Sequence, residues 1–302
     1  MAASARSVAR AGFWVCLAAC LAAQAGCRPR GAGAAIQNKG SDTMVSVAQA
    51  WAEAYQRVVP GVAVEVSGGG SGTGIAALIR GTVHIANASR DIKPAEAAQV
   101  LQNTGKEPKD FKVGYDALAV FVHRLNPLDA VTFEQLAGIY REDGAFTHWR
   151  QLGLSVPGCK RDEIVRVSRQ SSSGTYEFFR ERVLANRDFK LGSRDLNGSK
   201  EVVELVANTP CAIGYSGMGY ATPGVKMLKV ARRAGEPAYA PTVEATWQQT
   251  YPIARSLHMY TLGEPTGIVR DYLDWVLSDA GQGILEESGY VPLSRDSRAG
   301  RQ

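Results

Sequence analysis

Residues 62–91 read VAVEVSGGGSGTGIAALIRGTVHIANASRD. Val62 to Val66 is rich in β-branched residues and predicts a strand. Ser67 to Gly74 (SGGGSGTG) predicts a glycine-rich loop. Ile75 to Arg80 predicts a short helix, and Val83 to Ala88 a second strand that ends in Ser89-Arg90-Asp91. Upstream, Val47, Ala48, Trp51, Ala54 and Tyr55 recur at helical spacing, so Met44 to Val58 predicts a helix, with Ser41-Asp42 as cap residue types before it. Downstream, Pro94 to Thr104 predicts another. Helix, strand, helix, strand, helix is the signature of an α/β layered domain.

Working outward, two long apolar runs stand apart: Lys112 to His123 (KVGYDALAVFVH) and Tyr251 to Tyr260 (YPIARSLHMY). Between them the pattern restarts. Helices are predicted over Thr132–Tyr140, from Arg169-Gln170-Ser171-Ser172-Ser173-Gly174-Thr175 to about Val183, and over Lys200–Asn208; strands over Ile164–Ser168 and Ala212–Ser216. Thr266 to Leu277 and a segment from Asp279 close the chain with helices. Two long strands bracketing a middle section predict a discontinuous architecture. Residues 36–115 plus 256–302 form lobe I, 116–255 form lobe II, and a ligand sits in the cleft between them.

The length of 302 residues suits two domains. With 45% hydrophobic and 21% charged residues, a disordered or collagen-like chain is excluded. A net charge of +5 is mild for this length and does not imply nucleic acid, and two of those charges, Arg6 and Arg10, stand before an uncharged run, AGFWVCLAACLAAQA, from Ala11 to Ala25. That is the pattern of a secretory signal, and the run is shorter than the about 20 apolar residues of a spanning helix. Leu17-Ala18-Ala19-Cys20 resembles a lipobox; Gln24-Ala25-Gly26-Cys27 offers a second candidate with a more usual apolar length before it. Residues 1–27 are therefore expected to be a lipoprotein-type signal acylated at Cys20 or Cys27, and 28–35 an Arg-, Pro-, Gly- and Ala-rich tether. The expected location is the periplasm or cell surface, with the membrane met only through the anchor. Cys159 and Cys211 remain for the folded body, either as a disulfide or as two separate thiols.

Three segments share one design: Gly40-Ser41-Asp42-Thr43-Met44, Gly70-Ser71-Gly72-Thr73-Gly74 and Ser171-Ser172-Ser173-Gly174-Thr175. Each runs through Ser, Thr and Gly into a helix. The first N–H groups of a helix have no intrahelical partner and carry the positive end of its dipole. Hydroxyls add donors, and glycine lets the backbone approach. One such turn is often only a cap. Three of them, with Arg169 four residues before Ser173, predict a cradle for a small tetraoxyanion.

At these residues a family resemblance appears. GSDTM with Trp51 after it, GGGSGTGIAALIRGTVHIANASRDIK, VGYDALAVFVHRLNPL, LAGIYREDGAFTHWRQLG, RQSSSGTYEFF, CAIGYSGMGY and YPIARSLHMY resemble, in order, the blocks of periplasmic phosphate-binding proteins of the PstS type. The resemblance spans about residues 36–293. It implies a two-lobed class II periplasmic-binding-protein fold, with two hinge strands and a cleft between the lobes. It also implies binding of inorganic phosphate for an ABC importer, with permease subunits as partners. By motif it carries phosphate contacts onto Thr43, the Met44 N–H, Ser71, Arg169, Ser173, Gly174 and Thr175, and less directly onto Ser41 and Thr73. The family's pattern has an Asp directly after Ala-Ser, which accepts the proton of hydrogen phosphate and repels sulfate. Here Ala88-Ser89 is followed by Arg90, and Asp91 comes one place late. Either Ser89 and Arg90 contact the anion instead, or Asp42 or Asp91 is the acceptor. The chain is expected to be a monomer without cofactor, metal or catalytic residues. A surface phosphate sensor or adhesin of the same fold, or a binder of a related tetraoxyanion, is the alternative.

Enzyme readings fare worse. Gly70-x-Gly72-x-Gly74 mimics a dinucleotide fingerprint, but position 75, where its last glycine belongs, is Ile75. Neither Ser71 nor Ser173 lies in Gly-x-Ser-x-Gly. His84, His123, His148 and His258 form no metal-ligand spacing with an acid. Trp51, Trp149 and Tyr215 are expected in the core or between lobes.

Overall fold

The two long apolar runs are the spine of the molecule. In the computed structural model, which describes residues 34–294, they form β4 (Pro108–His123) and β11 (Ala254–Leu262). The two pair antiparallel from Ala254 opposite Ala117 to Leu262 opposite Pro108, with a register shift between Leu257 and His258. β4 is the longer strand, and beyond Ala117 it changes partner. Leu118 to Val122 pair with β8 (Ala212–Gly217), and Phe121 to His123 with β9 (Val225–Met227).

On the β11 side lie β3 (Ile85–Ala88), β1 (Ala34–Gly40) and β2 (Val62–Ser67). On the β8 side lie β6 (Val165–Arg169) and β7 (Arg194–Leu196). The order across the sheet is β2-β1-β3-β11-β4-β8-β6-β7, and β5 (Ala130–Thr132) with β10 (Lys229–Ala231) makes a separate ribbon. β1 pairs parallel with β3, and β6 parallel with β7 and β8. Parallel pairs need crossovers. Among the described residues these include α1 (Val45–Val58), α2 (Ser71–Ile79), α5 (Gly174–Arg182) and α6 (Ser199–Ala207).

The two largest hydrophobic cores form on the two sides. The first gathers Ile36, Val47, Trp51 and Tyr55 with Phe111, Val113, Leu257 and Met259, and with Tyr272 and Leu285. The last two come from α8 (Gly267–Leu277) and α9 (Asp279–Glu287), so the C-terminal helices complete the N-terminal half, and the Trp51 indole N–H donates to the Gly281 carbonyl at 2.7 Å. The second core gathers Leu118, Val120 and Val122 with Tyr140, Trp149, Phe179, Tyr215 and Tyr251. Tyr140 belongs to α4 (Phe133–Tyr140), where Thr132 is the N-cap and accepts from the Gln135 N–H. Trp51, Trp149 and Tyr215 are fully buried. This is a two-lobed α/β fold.

Some expectations shift. The helix expected from Ile75 starts at Ser71, because the second half of the glycine-rich stretch is already helical. Ala34 and Ala35, placed in the tether, open β1. His84, expected in a strand, precedes β3 and is exposed. Between Pro94 and Thr104 α3 forms as expected. Cys159 and Cys211 are joined by a disulfide with their Cα atoms 4.9 Å apart. The signal, both acylation candidates and tether positions 28–33 lie outside the described residues.

Candidate functional site

The three Ser/Thr/Gly turns meet. Thr43 lies in the turn into α1, Ser71 is the first residue of α2, and Ser173 is the N-cap of α5. Ser41, Thr43, Ser71, Ser89, Ser173 and Thr175 are all at least 98% buried. Five of these hydroxyls bond one another, with the Thr43–Thr175 pair spanning the junction of the two cores. Thr43 and Thr175 are 2.9 Å apart, Ser41 donates to Ser89 at 3.0 Å, and Ser71 and Ser89 are 3.4 Å apart. The Ser71 hydroxyl also accepts from the Ser89 N–H, and that of Ser173 from the Thr175 N–H.

Two glycines make the approach possible. Gly70 holds φ at +97°, a region L side chains rarely adopt. A Cβ there would fall 2.4 Å from the Ser172 carbonyl oxygen, whose other neighbour is the Gly72 N–H donating at 2.9 Å. A Cβ on Gly174 would fall 2.3 Å from the Ser71 Oγ and 2.8 Å from the Ser89 Oγ. α5 thus begins against the hydroxyls of the other half of the molecule.

Two buried arginines border the cluster. Arg169 is fully buried. Its Nη2 donates to Asp42 at 3.2 Å and to the Asn197 carbonyl at 2.7 Å, and its Nη1 to the Ser199 hydroxyl at 3.0 Å. Desolvation lowers its pKa, against the opposing pull of Asp42. The other Asp42 oxygen accepts from the Gly69 N–H at 2.7 Å, so one carboxylate ties α1, the glycine-rich turn and β6 together.

Arg255 was not expected at the site. From β11 its Nη1 donates to the Thr175 hydroxyl at 3.0 Å and its Nη2 to the Thr43 hydroxyl at 3.2 Å. Asp116, fully buried on β4, accepts from its Nε at 2.9 Å and its Nη2 at 2.7 Å. Burial raises the Asp116 carboxyl above its ordinary pKa, while Arg255 and the Met218 N–H pull it down. The signal was present in YPIARSLHMY: an Arg buried inside a mostly apolar strand requires a buried partner.

Other expected residues are placed differently. The Met44 side chain is in the first core, and its N–H donates to the Ser41 carbonyl. Thr73 turns its hydroxyl back to the Gly69 carbonyl. Arg90 does not bond to the cluster: its guanidinium forks onto Glu96 at 2.8 and 2.7 Å and donates to the Asp91 carbonyl. Asp91, one position on, has a side chain that is 90% exposed and reaches His258 at 3.2 Å. The carboxylates beside the cluster are instead Asp42 and Asp116, each behind an arginine. Two cations are balanced by two anions, so the attraction for a further anion falls to the hydroxyls and the N-terminal ends of α2 and α5.

A two-lobed α/β fold with hydroxyls and helix N-termini converging between two cores defines the class: a two-lobed substrate-binding protein. A profile of the PBP superfamily domain matches residues 28–280. The chain is 33% identical over 270 residues to the phosphate-binding protein PstS of Pseudomonas aeruginosa, covering 85% of this chain and 83% of that protein. It is 32% identical to the protein SphX of Synechococcus elongatus, covering 86% and 78%. Among solved structures it resembles one described as a phosphate ABC transporter substrate-binding protein from Clostridium perfringens, with bound phosphate. There the TM-score is 0.75 at 28% identity, covering 86% of this chain and all of that one. This chain belongs to the PBP superfamily and, within it, to the PstS family of phosphate-binding proteins.

Proposed function

We propose that the chain binds inorganic phosphate outside the cytoplasm and delivers it to an ABC importer. The observation that carries this is the convergence of buried hydroxyls between the two cores: Ser71 and Ser89 against Gly174 at the start of α5, and Thr43 and Thr175 on Arg255 of β11. A tetrahedral oxyanion suits such a set: hydroxyls reorient to donate, and the positive ends of the α2 and α5 dipoles favour negative charge there. On binding, the mutual hydroxyl bonds of Thr43, Ser71, Ser89 and Thr175 give way to bonds to phosphate oxygens. Ser173 and the Gly174 N–H complete the α5 side. Arg255 contributes charge directly, and Arg169 holds the turns through Asp42.

Residues 36–115 with 256–302 act as lobe I and 116–255 as lobe II, with β4 and β11 as hinge. The anion favours the closed arrangement because only there does it meet both sets of donors. The closed form is what the permease subunits recognise. The chain works as a monomer and carries out no chemistry on its ligand. Acylation at Cys20 or Cys27 holds it at the membrane surface.

Calorimetric titration at neutral pH with phosphate and with sulfate tests this reading. Saturable one-site binding of phosphate, well above sulfate, is expected. Absent phosphate binding, or equal affinity for the two anions, contradicts it.

A further inference from the structure

Arg166 is the second residue of β6, the strand that Arg169 closes. It is 9% exposed, its Nη2 donates to the Leu191 carbonyl at 3.3 Å, and its Nε has no hydrogen-bond partner. No salt bridge reaches it among the described residues. This contrasts with Arg169 and Arg255, each of which has its own carboxylate. A guanidinium removed from water without a counter-charge is unfavourable, and an anion brought to it recovers what solvation lost.

Arg166 lines a cavity of about 450 Å³, within the range of small-molecule sites. Lys160, Arg161 and Arg194 line the same cavity, are exposed and form no salt bridge among the described residues. Glu163 is the one acid among the lining residues. Cys211 lies in the wall, and its disulfide to Cys159 fixes the turn carrying Lys160 and Arg161 against the start of β8. A fixed frame, an uncompensated buried guanidinium and three further cations make an anion site and not merely a basic surface. The Cα of Arg166 stands three residues, about 10 Å, along β6 from that of Arg169, and Lys190 feels its positive field: burial first, then Arg166, lowers the Lys190 pKa.

We propose that this cavity is a second anion site, for a phosphoryl-bearing molecule larger than inorganic phosphate. The phosphoryl group is recognised by the Arg166 fork, with Lys160, Arg161 and Arg194 at the rim. A lipid headgroup and a soluble organophosphate share this chemistry.

The test uses inorganic pyrophosphate as the soluble probe, with calorimetry on the wild-type chain, on Arg166→Gln and on the exposed triple variant Lys160→Gln/Arg161→Gln/Arg194→Gln. A parallel arm measures co-sedimentation with phosphatidylcholine vesicles with and without phosphatidylglycerol. Saturable pyrophosphate binding is expected, weakened at least tenfold in the triple variant, whose titration with inorganic phosphate stays at the wild-type value. Sedimentation that depends on phosphatidylglycerol and is lost in the triple variant identifies the headgroup as source; pyrophosphate binding without it identifies a soluble ligand. No saturable pyrophosphate binding by the wild-type chain, or binding that the triple variant leaves unchanged, overturns the proposal. The triple variant removes only exposed side chains, so it reports even where Arg166→Gln fails to fold.

Discussion

Replacing Gly174 by Ala puts the account to work at one atom. The added Cβ would lie 2.3 Å from the Ser71 Oγ, 2.9 Å from the Ser71 Cβ and 2.8 Å from the Ser89 Oγ. Favourable carbon contacts need about 3.5–4.0 Å. Rotating Ser71 away releases the buried Ser89 N–H, which it accepts at 3.0 Å, at about 1–3 kcal/mol. Rotation also leaves the Ser71 Cβ too close, so the start of α5 must withdraw, with an overpacking cost of about 1–3 kcal/mol. In favour of Ala, helix propensity contributes at most about 1 kcal/mol. The net penalty of roughly 1–6 kcal/mol falls on the contact between the two cores. Phosphate affinity should drop at least about fivefold, measured by calorimetry, with far-ultraviolet circular dichroism unchanged. Gly283→Ala is the control: nothing lies within 4 Å of its Cβ, so it should gain about 0.5–1 kcal/mol of stability and bind normally. Gly174→Ala binding phosphate within twofold of wild type would refute the reasoning.

Three further outcomes are expected. Arg255→Leu leaves Asp116 buried and unpaired and should lower stability to urea by about 3–5 kcal/mol; adding Asp116→Asn should recover part of it, and a single variant as stable as wild type would show the pair to be dispensable. Reducing Cys159–Cys211, which are 52 residues apart, should lower stability by up to about 4 kcal/mol, seen as a shift of the urea midpoint with reductant. For Glu96, burial raises the pKa, but bonds from Arg90 and the Lys93 N–H outweigh it and the net direction is down. A lowered folded value means stability present above the unfolded value of 4.5 and lost as pH falls below it. The stability gap between wild type and Glu96→Gln should therefore shrink on acidification below that value, and a gap that widens would contradict the assignment.

The layered fold was legible because its longer elements carry their periodicity locally. α1, α3 and α8 fall within a residue or so of expectation, and β4 and β11 were visible as apolar runs. β5, β7, β9 and β10 are three residues each, too short to show alternation, and exist because a neighbour pairs with them. Of the candidate site, the Ser/Thr/Gly turns and their place at helix starts were readable because helix starts are a local code. Arg255 and Asp116 were not, since their partnership spans 139 residues and arises only when β4 and β11 pair. Arg90 shows the opposite case: its position after Ser89 suggests the anion, whereas in the fold Glu96, in the first turn of α3, takes its fork.

The decisive measurement is a crystal structure of the chain grown with inorganic phosphate at neutral pH. The account predicts a tetrahedral anion within hydrogen-bonding distance of the Thr43, Ser71 and Thr175 hydroxyls and the Gly174 N–H. A structure in which those hydroxyls still bond one another while phosphate lies elsewhere would contradict it.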